Sequence, residues 1–561
     1  MKSLETADTD ARQPQPEKGG AFDAIIVGAG FSGMYMLHKL RGQGLSAIVI
    51  EAGSGVGGTW YWNRYPGARC DVESVQYQYG FSDEIQRGWT WSERYAGQAE
   101  INRYQNYVAD RLDLRRDIRF DTRVTSASFD EASGRWTVET DHGDRLDAQY
   151  CILATGNLSV PRIPEFVGLE EYQGETYHTH DWPAKAVDFA GKRVAVIGTG
   201  SSGAQVIPEL GAQSGHLTVF QRTANYCIAS FNGPLDPAYA DQVKASFMEE
   251  RRKAEYTFAG LATPLGAESA LELTPEEANA RLEARWRRGG LEMLNTFYDV
   301  LLDKRANEVA AEFVRAKTRE KLDDPELADA LIPKDYPFGA KRPCLDAGYL
   351  DTFKRPNVRL VDVNKAPIER ITTDGIVAGG ALYEVDAIVF ATGFDAMTGA
   401  ALKIDIRGRD GVSLRDEWAV GPRTYLGLMV AGFPNLFIVI GPGSPSVLTN
   451  NVVAIEQHVE WIADCIGDMK AGCVDTIEAR RTAQDQWVDH VNEVASATLL
   501  PDANSWYLGA NVPGKARVFM PYPGGLDVYR RKCDQVRADG YEGFTLRSGP
   551  VARDAAIAAG A

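Results

Sequence analysis

Residues 192–204 read K-R-V-A-V-I-G-T-G-S-S-G-A, and this stretch decides the fold. The apolar run at 192–197 predicts a short buried strand, and Gly198, Gly200 and Gly203 follow it as G-x-G-x-x-G before a helical pattern begins. In such a turn one glycine allows a tight bend, another lets the backbone approach a pyrophosphate, and the third permits close helix packing. The helix then points its free amides at the phosphates. The stretch therefore predicts a dinucleotide-binding domain.

The strand after this turn indicates which dinucleotide is bound. Residues 217–220 predict a strand, which leads into Gln221, Arg222 and Thr223. An NAD site carries an acidic residue here that accepts from the ribose 2′-hydroxyl, whereas an arginine can pair with a 2′-phosphate. Arg222 therefore predicts that this second nucleotide is NADPH.

An earlier copy of the same turn differs in one informative position. Residues 24–27 predict a strand, Gly28, Gly30 and Gly33 form the turn, and residues 46–50 form a strand that ends in Glu51. A carboxylate at this place suits an unphosphorylated ribose, as in the adenosine half of FAD. A single glycine motif is weak evidence. Two copies, one followed by the acidic Glu51 and the other by Arg222, are strong evidence. They predict an α/β fold with two Rossmann-like dinucleotide-binding domains, one for FAD and one for NADP.

Composition bounds the class of protein. A chain of 561 residues is too long for one core and suggests two or three domains. The formal net charge of −17 argues against nucleic acid or an anionic membrane as a partner, because both require a positive surface. No apolar run approaches the length of a membrane span, and the polar first twenty residues resemble neither a signal peptide nor a folded segment.

Cysteine usage indicates the compartment and excludes one chemistry. None of the cysteines forms a C-x-x-C pair, so a dithiol reductase lacks its main requirement. Free thiols in a reducing, cytoplasmic compartment are the simplest interpretation. The seven positions are Cys70, Cys151, Cys227, Cys344, Cys465, Cys473 and Cys533.

The order of patterns along the chain predicts its domains. Two strand-like runs, 150–153 and 387–390, each lead into A-T-G and mark the passages between the domains. Charged helical patterns with starts at Thr274 and Asp324 predict a helical insertion. We therefore expect a disordered tail at 1–20, an FAD-binding domain at 21–157 and 395–561, and an NADP-binding domain at 158–394 with the insertion at 234–331.

Three loops are candidates for contact with coenzyme or substrate. Residues 55–71 combine glycines, proline and aromatic residues, which is typical of an ordered loop over a flat ring system and poor for a helix or strand. Residues 441–451 form a glycine- and proline-rich loop before a helix over about 452–469. The glycine and proline residues within 504–515 are typical of a loop that can move, with Trp506 as its anchor.

Between the two glycine turns lies a further pattern, which carries a family resemblance. Its five residues match the fingerprint F-x-G-x-x-x-H-x-x-x-W-P of the Baeyer–Villiger monooxygenases, with tyrosine replacing phenylalanine at the first position. The segments W-Y-W-N-R-Y-P-G-A-R-C-D, F-G-A-K-R-P and S-W-Y-L-G-A-N-V-P-G-K resemble the phenylacetone- and steroid-oxidising subgroup, and the likeness runs from about residue 21 to 546. The fingerprint residues are Tyr172, Gly174, His178, Trp182 and Pro183.

The resemblance implies an enzyme that uses FAD, NADPH and O2 to insert oxygen beside a ketone carbonyl, giving an ester or lactone. In the family a C4a-peroxyflavin attacks the ketone, and the tetrahedral (Criegee) adduct rearranges. Two other classes remain open: a flavin-containing monooxygenase that oxidises amines or sulfides, and a diaphorase or redox sensor that transfers no oxygen. We expect a small-molecule ketone and O2 as partners, no nucleic acid or membrane, and a monomer or weak oligomer.

The resemblance also assigns roles to residues. Arg342 in F-G-A-K-R-P is the implied catalytic arginine, held by Asp71, and Lys341 faces the 2′-phosphate. A permanently charged guanidinium suits this role because the reacting oxygen atoms carry negative charge. Contacts with the coenzymes are assigned to Gly28, Gly30, Ser32, Gly33, Glu51, Thr59, Trp60, Tyr61, Trp62, Arg69, Cys70, Asp71, Tyr77, Val124, Gly198, Thr199, Gly200, Ser201, Ser202, Gly203, Ala204, Gln205, Arg222, Thr223, Lys341, Arg342, Asn451 and Trp506.

Two further assignments concern the linker and the substrate. His178, His180 and Asp181 resemble a metal cluster, but no further ligand is evident and flavin chemistry needs no metal, so we expect none. By resemblance His178 couples NADPH binding to domain position. The implied substrate pocket is formed by Leu158, Ser446, Val447, Leu448 and Asn451, with Asn451 standing where a subgroup member has methionine.

Overall fold

A computed structural model describes residues 20–549. The first part of the chain contains β1 (Gly20–Val27), α1 (Phe31–Gly42), β2 (Ala47–Ile50), α2 (Thr59–Trp62), α3 (Asp83–Arg87), α4 (Gln98–Arg111), β3 (Ile118–Arg119), β4 (Val124–Asp130), β5 (Arg135–Thr140) and β6 (Arg145–Leu153). The middle contains β7 (Glu175–His178), β8 (Arg193–Ile197), α5 (Ser201–Gln213), β9 (His216–Gln221), β10 (Cys227–Ala229), α6 (Pro237–Ala254), α7 (Pro275–Trp286), α8 (Lys304–Lys321), α9 (Pro325–Leu331), β11 (Cys344–Asp346), α10 (Tyr349–Thr352), β12 (Val358–Asp362), β13 (Ile368–Thr372), β14 (Gly375–Ala378), β15 (Ala381–Glu384) and β16 (Ala387–Phe390). The last part contains α11 (Gly399–Leu402), β17 (Asp405–Arg407), α12 (Leu414–Glu417), β18 (Leu436–Ile438), α13 (Asn451–Ala471), β19 (Thr476–Ala479), α14 (Arg481–Ser496), α15 (Leu526–Ala538) and β20 (Phe544–Arg547).

The first sheet has eight strands in the order β17-β4-β5-β6-β1-β2-β3, with β18 also paired to β6. Its centre is parallel, since β1 pairs with both β2 and β6 in that sense. Alternate residues of β1 enter separate cores on opposite faces: Ala24 and Ile26 face one core, and Ile25 and Val27 face the other. Burial on both faces explains why these strands read as continuous apolar runs.

The second sheet has five strands in the order β12-β9-β8-β16-β7, and every pairing in it is parallel. Val194 and Val196 of β8 face the core beneath α5, whereas Ala195 and Ile197 face the antiparallel β13–β14–β15 sheet. The α/β fold class with two Rossmann-like units is therefore confirmed. The predicted tail at 1–20 lies outside the described residues except for Gly20, the first residue of β1.

The chain passes between the two units twice, and the two passages bond to each other. The first follows β6 and the second follows β16. Met397 N donates to Asn157 O at 2.9 Å, Asp395 N donates to Val160 O at 2.9 Å, and residues 161 and 394 form an isolated antiparallel bridge. The two A-T-G segments thus begin a two-stranded connection between the units.

The helical region at 234–331 packs against both units. The helix starts predicted at Thr274 and Asp324 are confirmed, since Thr274 forms a full capping box and Asp324 caps α9. Helices α7 and α8 share a core with segments near β10. Helix α6 instead contacts the first unit, where the buried pair Arg251–Glu456 joins it to α13 at 2.5 Å. Helices of this region therefore contact both units.

Within residues 20–549, we find no helix with the length and apolarity required to cross a membrane.

Candidate active site between the two nucleotide turns

The two predicted glycine turns have the same geometry. Gly28 has φ +104°, and a Cβ added to it would lie 2.7 Å from Ala154 O. Gly198 has φ +109°, and its added Cβ would lie 2.5 Å from Ala391 O. Only glycine fits a backbone that is both left-handed and this close to a neighbouring carbonyl. The first residue of each A-T-G segment thus packs on the first glycine of a turn.

Both turns leave helix amides free for an anion. The first amides to donate back into the turns are Met34 N to Gly30 O at 3.1 Å and Ala204 N to Gly200 O at 2.8 Å. The amides before them have no partner within the helix, and the helix dipole favours negative charge there. A Cβ at Gly200 would meet nothing within 4 Å, so the space over that turn is open. Dinucleotide phosphates fit both places; the amides concerned include those of Ser32, Gly33, Ser201, Ser202 and Gly203.

Glu51 follows β2 and closes the first turn. Its buried carboxylate accepts from Ala29 N at 2.6 Å and from Gly53 N at 2.7 Å. Burial raises the pKa of Glu51, and these two amides partly oppose the shift. A carboxylate has lone pairs for further donors, so Glu51 can also accept from a ribose hydroxyl. That contact with FAD stays a prediction.

Arg222 and Lys341 form a cationic site after the second turn. Lys341 Nζ lies 4.4 Å from the centre of the Tyr336 ring, and Tyr336 Oη donates to Ala224 O at 3.0 Å. Burial and the charge of Arg222 lower the pKa of Lys341. In the described part of the chain, neither cation has a carboxylate within ion-pair distance. Two such charges suit a 2′-phosphate.

Arg342 and Asp71 form a two-pronged ion pair between the two units. Arg342 Nε donates to Asp71 Oδ2 at 2.5 Å, and Nη2 donates to Asp71 Oδ1 at 2.8 Å. A third bond runs from Nη1 to Val447 O at 3.0 Å. Although burial alone would lower it, the Asp71 charge holds the pKa of Arg342 above its ordinary value. The guanidinium is therefore fixed in place and permanently charged.

Tyr507 is a neighbour of Arg342 that the sequence reasoning missed. Its side chain is buried, and burial, opposed by the charge of Arg342, raises the pKa of Tyr507 to about 12. Tyr507 follows Trp506 within the predicted loop, so the adjacent aromatic residues were the available signal.

The loop at 55–71 differs in part from its prediction. Expected to be irregular, it contains one helical turn, α2, which holds four predicted contacts. Trp60 is buried, and its Nε1 donates to Tyr77 Oη at 3.1 Å, joining two residues predicted to contact a coenzyme. Aromatic packing overcame a composition that disfavours helix. The contacts in α2 are Thr59, Trp60, Tyr61 and Trp62.

Gln205 joins this loop to the helix of the second turn. Tyr65 Oη donates to Gln205 Oε1 at 2.6 Å, and Gln205 Nε2 donates to Arg69 O at 3.0 Å. A Cβ at Gly67 would lie 2.2 Å from Gln205 O, so the two backbones touch. The Gln205 amide is thus engaged between the units, and Cys70 and Asp71 follow directly from this contact.

The tyrosine in the fingerprint has a partner for its added hydroxyl. Tyr172 Oη donates to Val385 O at 2.9 Å. A Cβ at Gly174 would lie 2.2 Å from Tyr172 Oη and 2.7 Å from Asp386 O. Gly174 is therefore required for the tyrosine ring to fold back over the chain. The change from phenylalanine is accommodated by one buried hydrogen bond.

His178 lies at the carboxyl end of the second sheet. Its Nδ1 accepts from His180 N at 3.0 Å, and its Nε2 is 3.4 Å from Thr392 Oγ1, in the second passage between units. Burial lowers the pKa of His178. Trp182 is buried beside Tyr177, 5.2 Å between ring centres, so it anchors the segment after the histidine. His178 therefore bonds to the connection between the units.

The predicted substrate-pocket residues converge beside Arg342. Leu158, Val447 and Leu448 share one apolar cluster with residues from four other segments. Ser446 Oγ lies 4.0 Å from Met397 Sδ within it. Besides Tyr507, the cluster contains Leu301, Met397, Phe519 and Met520, which sequence reasoning missed and which carry no local motif.

Asn451 is the first residue of α13, and its Oδ1 is buried without a hydrogen-bond partner in the described protein. An unpaired buried acceptor is costly, so this atom suits a donor from a ligand.

The remaining predicted contacts lie near the turns. Thr199 Oγ1 donates to Thr223 O at 3.1 Å, which closes the second turn against the end of β9. Val124 begins β4.

The loop at 504–515 is held in place by Lys515, whose Nζ lies 2.5 Å from Asp395 Oδ1.

The part of the chain that the structure describes contains neither a cluster of metal-ligating side chains nor a disulfide. Within residues 20–549, no three His, Cys, Asp or Glu side chains are arranged to hold a metal ion. Cys227 and Cys344 are direct neighbours on β10 and β11, yet both are free, as are the other described cysteines.

Comparison with known proteins agrees with this geometry. Residues 25–258 match the family model described as pyridine nucleotide-disulphide oxidoreductase. Acetone monooxygenase (methyl acetate-forming) of Gordonia sp. (strain TY-5) is 45% identical over 93% of this chain and 99% of its own. A Baeyer–Villiger monooxygenase of Pseudooceanicola batsensis is 43% identical over 93% of this chain and 96% of its own.

Solved structures extend the likeness to the whole fold. Oxidized steroid monooxygenase bound to NADP has a TM-score of 0.91 at 50% identity. The match covers 94% of this chain and 100% of the steroid monooxygenase chain. OTEMO in complex with FAD and NADP has a TM-score of 0.91 at 40% identity, covering 94% and 99%. With two nucleotide turns and a half-buried, ion-paired arginine between them, the chain belongs to the Baeyer–Villiger monooxygenases, enzymes that use FAD, NADPH and O2 to convert ketones into esters or lactones.

Proposed function

We propose that Arg342, held by Asp71, is the catalytic cation of this enzyme. The observation that carries the proposal is the two-pronged contact of 2.5 and 2.8 Å, made between side chains from the two units. When bound, NADPH would supply the electrons and FAD would activate O2, which provides the inserted oxygen atom. Arg342 then stabilises negative charge on the reacting oxygen atoms. A fixed charge about 4 Å away contributes about 4 kcal/mol at intermediate dielectric.

The two coenzymes are assigned to different turns. FAD binds at the turn closed by Glu51, and the loop at 55–71 covers it. NADPH binds at the turn that begins with Gly198, where the cationic side chains of Arg222 and Lys341 receive the 2′-phosphate. The hydrogen bonds of the Gln205 side-chain amide to Tyr65 and Arg69 fix the position of the two sites relative to each other.

The ketone binds in the apolar cluster beside Arg342. Leu158, Val447 and Leu448 line it with Tyr507, and these side chains exclude water from the charged centre. The unpaired Oδ1 of Asn451 adds one hydrogen-bond acceptor. Ketones that carry a donor group therefore fit better than purely hydrocarbon ketones.

The organisation of the protein follows from the same features. The FAD-binding domain comprises 21–157 and 395–561, and the NADP-binding domain comprises 158–394 with the insertion at 234–331. The free cysteines suit a reducing, cytoplasmic compartment. We expect a monomer or a weak oligomer in solution.

Product analysis tests the proposed reaction. The FAD-loaded enzyme is incubated with NADPH, O2 and a panel of ketones, amines and sulfides. Esters or lactones are the expected products. If only N-oxides or sulfoxides form, the oxygen is transferred in another way, and if only hydrogen peroxide forms with every ketone, the chain is not an oxygenase.

Replacement of Arg342 tests the role of the cation. In Arg342→Ala, NADPH should still reduce the flavin, but ester formation should be abolished because the developing charge has no counterion. Arg517→Ala is the matched control, since this exposed arginine donates to Asn504 Oδ1 at 2.8 Å and forms no ion pair with a carboxylate among residues 20–549. Retention of ester formation by Arg342→Ala would contradict the assigned role.

A further inference from the structure

Arg162 has its backbone fixed at the carboxyl end of the second sheet. Its amide donates to Gly393 O at 2.9 Å, and its carbonyl accepts from Thr392 Oγ1 at 2.6 Å. Thr392 and Gly393 directly follow β16. Arg162 therefore stands at the edge of the sheet where the strands point toward the second nucleotide turn.

The strand order brings Arg162 and Arg222 to opposite sides of that turn. Arg222 follows β9, the turn at Gly198 follows β8, and Arg162 is bonded to the segment after β16. These strands are parallel neighbours, so their carboxyl ends share one edge. Adjacent strands are about 4.8 Å apart, which puts β9 and β16 about 10 Å apart with the turn between them. Two arginine side chains can meet over such a span.

Arg162 is a half-buried cation that interacts with the charge of Arg222. In residues 20–549 no carboxylate lies within ion-pair distance of its guanidinium. Burial and then the charge of Arg222 lower the pKa of Arg162, the same two causes that act on Lys341. Arg222 is thus within electrostatic range of both. Three cations without a counterion repel one another and are suited to a multiply charged anion.

We propose that Arg162 is a third ligand of the NADPH 2′-phosphate, beside Arg222 and Lys341, and so a determinant of the preference for NADPH over NADH. The proposal rests on the proposed binding of NADPH at this turn. A phosphate monoester carries close to two negative charges and three acceptor oxygens, so it can accept from two guanidinium forks and one ammonium together. Because Arg162 belongs to the first passage between the units, the 2′-phosphate also links that passage to the sheet.

Binding of nucleotide fragments tests this role without turnover. Adenosine 2′,5′-bisphosphate and 5′-AMP differ in the 2′-phosphate, and titration calorimetry on the FAD-loaded enzyme compares their affinities. In Arg162→Gln, the bisphosphate should bind about tenfold more weakly, since a charge-assisted hydrogen bond is lost. The affinity for 5′-AMP should not change. Arg162→Lys keeps the charge but not the fork, and should lie between.

Lys365→Gln is the matched control. Lys365 is exposed and adjoins Asn364, whose Nδ2 donates to Arg222 O at 2.6 Å, so this variant removes a nearby charge outside the cluster. It should bind both fragments as the parent enzyme does. Arg162→Met provides the same comparison if the glutamine variant is unstable.

Two results separate the possible failures. Equal loss for both fragments, or no loss, in Arg162→Gln and Arg162→Met would overturn the role of Arg162. If the parent enzyme itself binds 5′-AMP and the bisphosphate equally, the NADPH site at this turn is wrong, and the inference about Arg162 is overturned with it.

Discussion

Arg342 obtains its position from a residue far away in the sequence. Asp71 is separated from it by 271 positions, yet two hydrogen bonds align the carboxylate with the guanidinium fork. A fork-to-fork pair fixes orientation as well as charge. Asp71 therefore acts through Arg342 as a positioning residue.

Asp71→Asn should separate positioning from charge. The amide offers one acceptor oxygen instead of two, so Arg342 loses a charge-assisted hydrogen bond and its fixed orientation. We expect flavin reduction by NADPH to continue and ester formation to fall about 10- to 100-fold. Stopped-flow absorbance and product analysis measure the two steps. Asp485→Asn, which breaks the comparable pair with Arg423, should leave both steps unchanged.

Tyr172→Phe should restore the fingerprint pattern at a small cost in stability. The hydrogen bond to Val385 O is lost, which lowers the free energy of unfolding by about 1 kcal/mol. Gly174→Ala should cost more, because its Cβ meets the tyrosine hydroxyl at 2.2 Å. Urea unfolding of the two variants measures the difference. Equal stability of Tyr172→Phe and the parent protein would mean that the buried bond contributes nothing.

At the scale of elements, local patterns were predictable and assembled clusters were not. The glycine turns and the caps of α7 and α9 depend on residues within one or two turns of chain, so their spacing alone identifies them. Helix α2 was missed because its composition disfavours helix, and buried Trp60 overrides it. Leu301, Met397 and Phe519 in the cluster around Tyr507 were missed because they come from distant segments, whereas Leu158, Val447 and Leu448 were indicated only by the family resemblance. Pairing of such segments leaves no periodic signal in the sequence.

Gln205→Ala should loosen the contact between the loop at 55–71 and α5. Its three side-chain hydrogen bonds, one to Tyr65 and two to the backbone of Arg69, are lost. Retention of FAD should be unchanged, whereas binding of NADP+ should weaken by up to about tenfold, because the second turn is no longer held against the loop. Gln213→Ala, at the exposed end of the same helix, is the control. Calorimetric titration of NADP+ decides between the two outcomes.

At the scale of the whole molecule, a buried histidine makes the first unit sensitive to acid. His458 Nδ1 accepts from Ile440 N at 2.8 Å, and its Nε2 lies 2.9 Å from Tyr529 Oη. Tyr529 Oη itself donates to Leu426 O, so the ring must donate from Nε2 and remain neutral. Burial, and then the charge of Arg530, lower the pKa of His458 to about 3.

The free energy of unfolding should therefore fall as the pH is lowered from about 6.5 to about 3. The unfolded chain gains the proton near pH 6.5, well before the folded one, so the contribution of His458 is complete above about pH 6.5 and decreases toward pH 3. Between pH 7 and pH 5 the loss is about 2 kcal/mol. His458→Gln should show a shallower decrease in thermal midpoint than the parent protein. The exposed His216→Gln should decrease as the parent does.

The paired passages between the two units restrict how the molecule can deform. Because the outgoing and returning chains are bonded to each other through Asn157, Val160, Asp395 and Met397, they must flex as one ribbon. A two-stranded ribbon bends more easily out of its plane than within it, so we expect the two units to swing mainly about one axis. Such a swing would open the proposed NADPH and ketone sites together and leave the proposed FAD site within one unit.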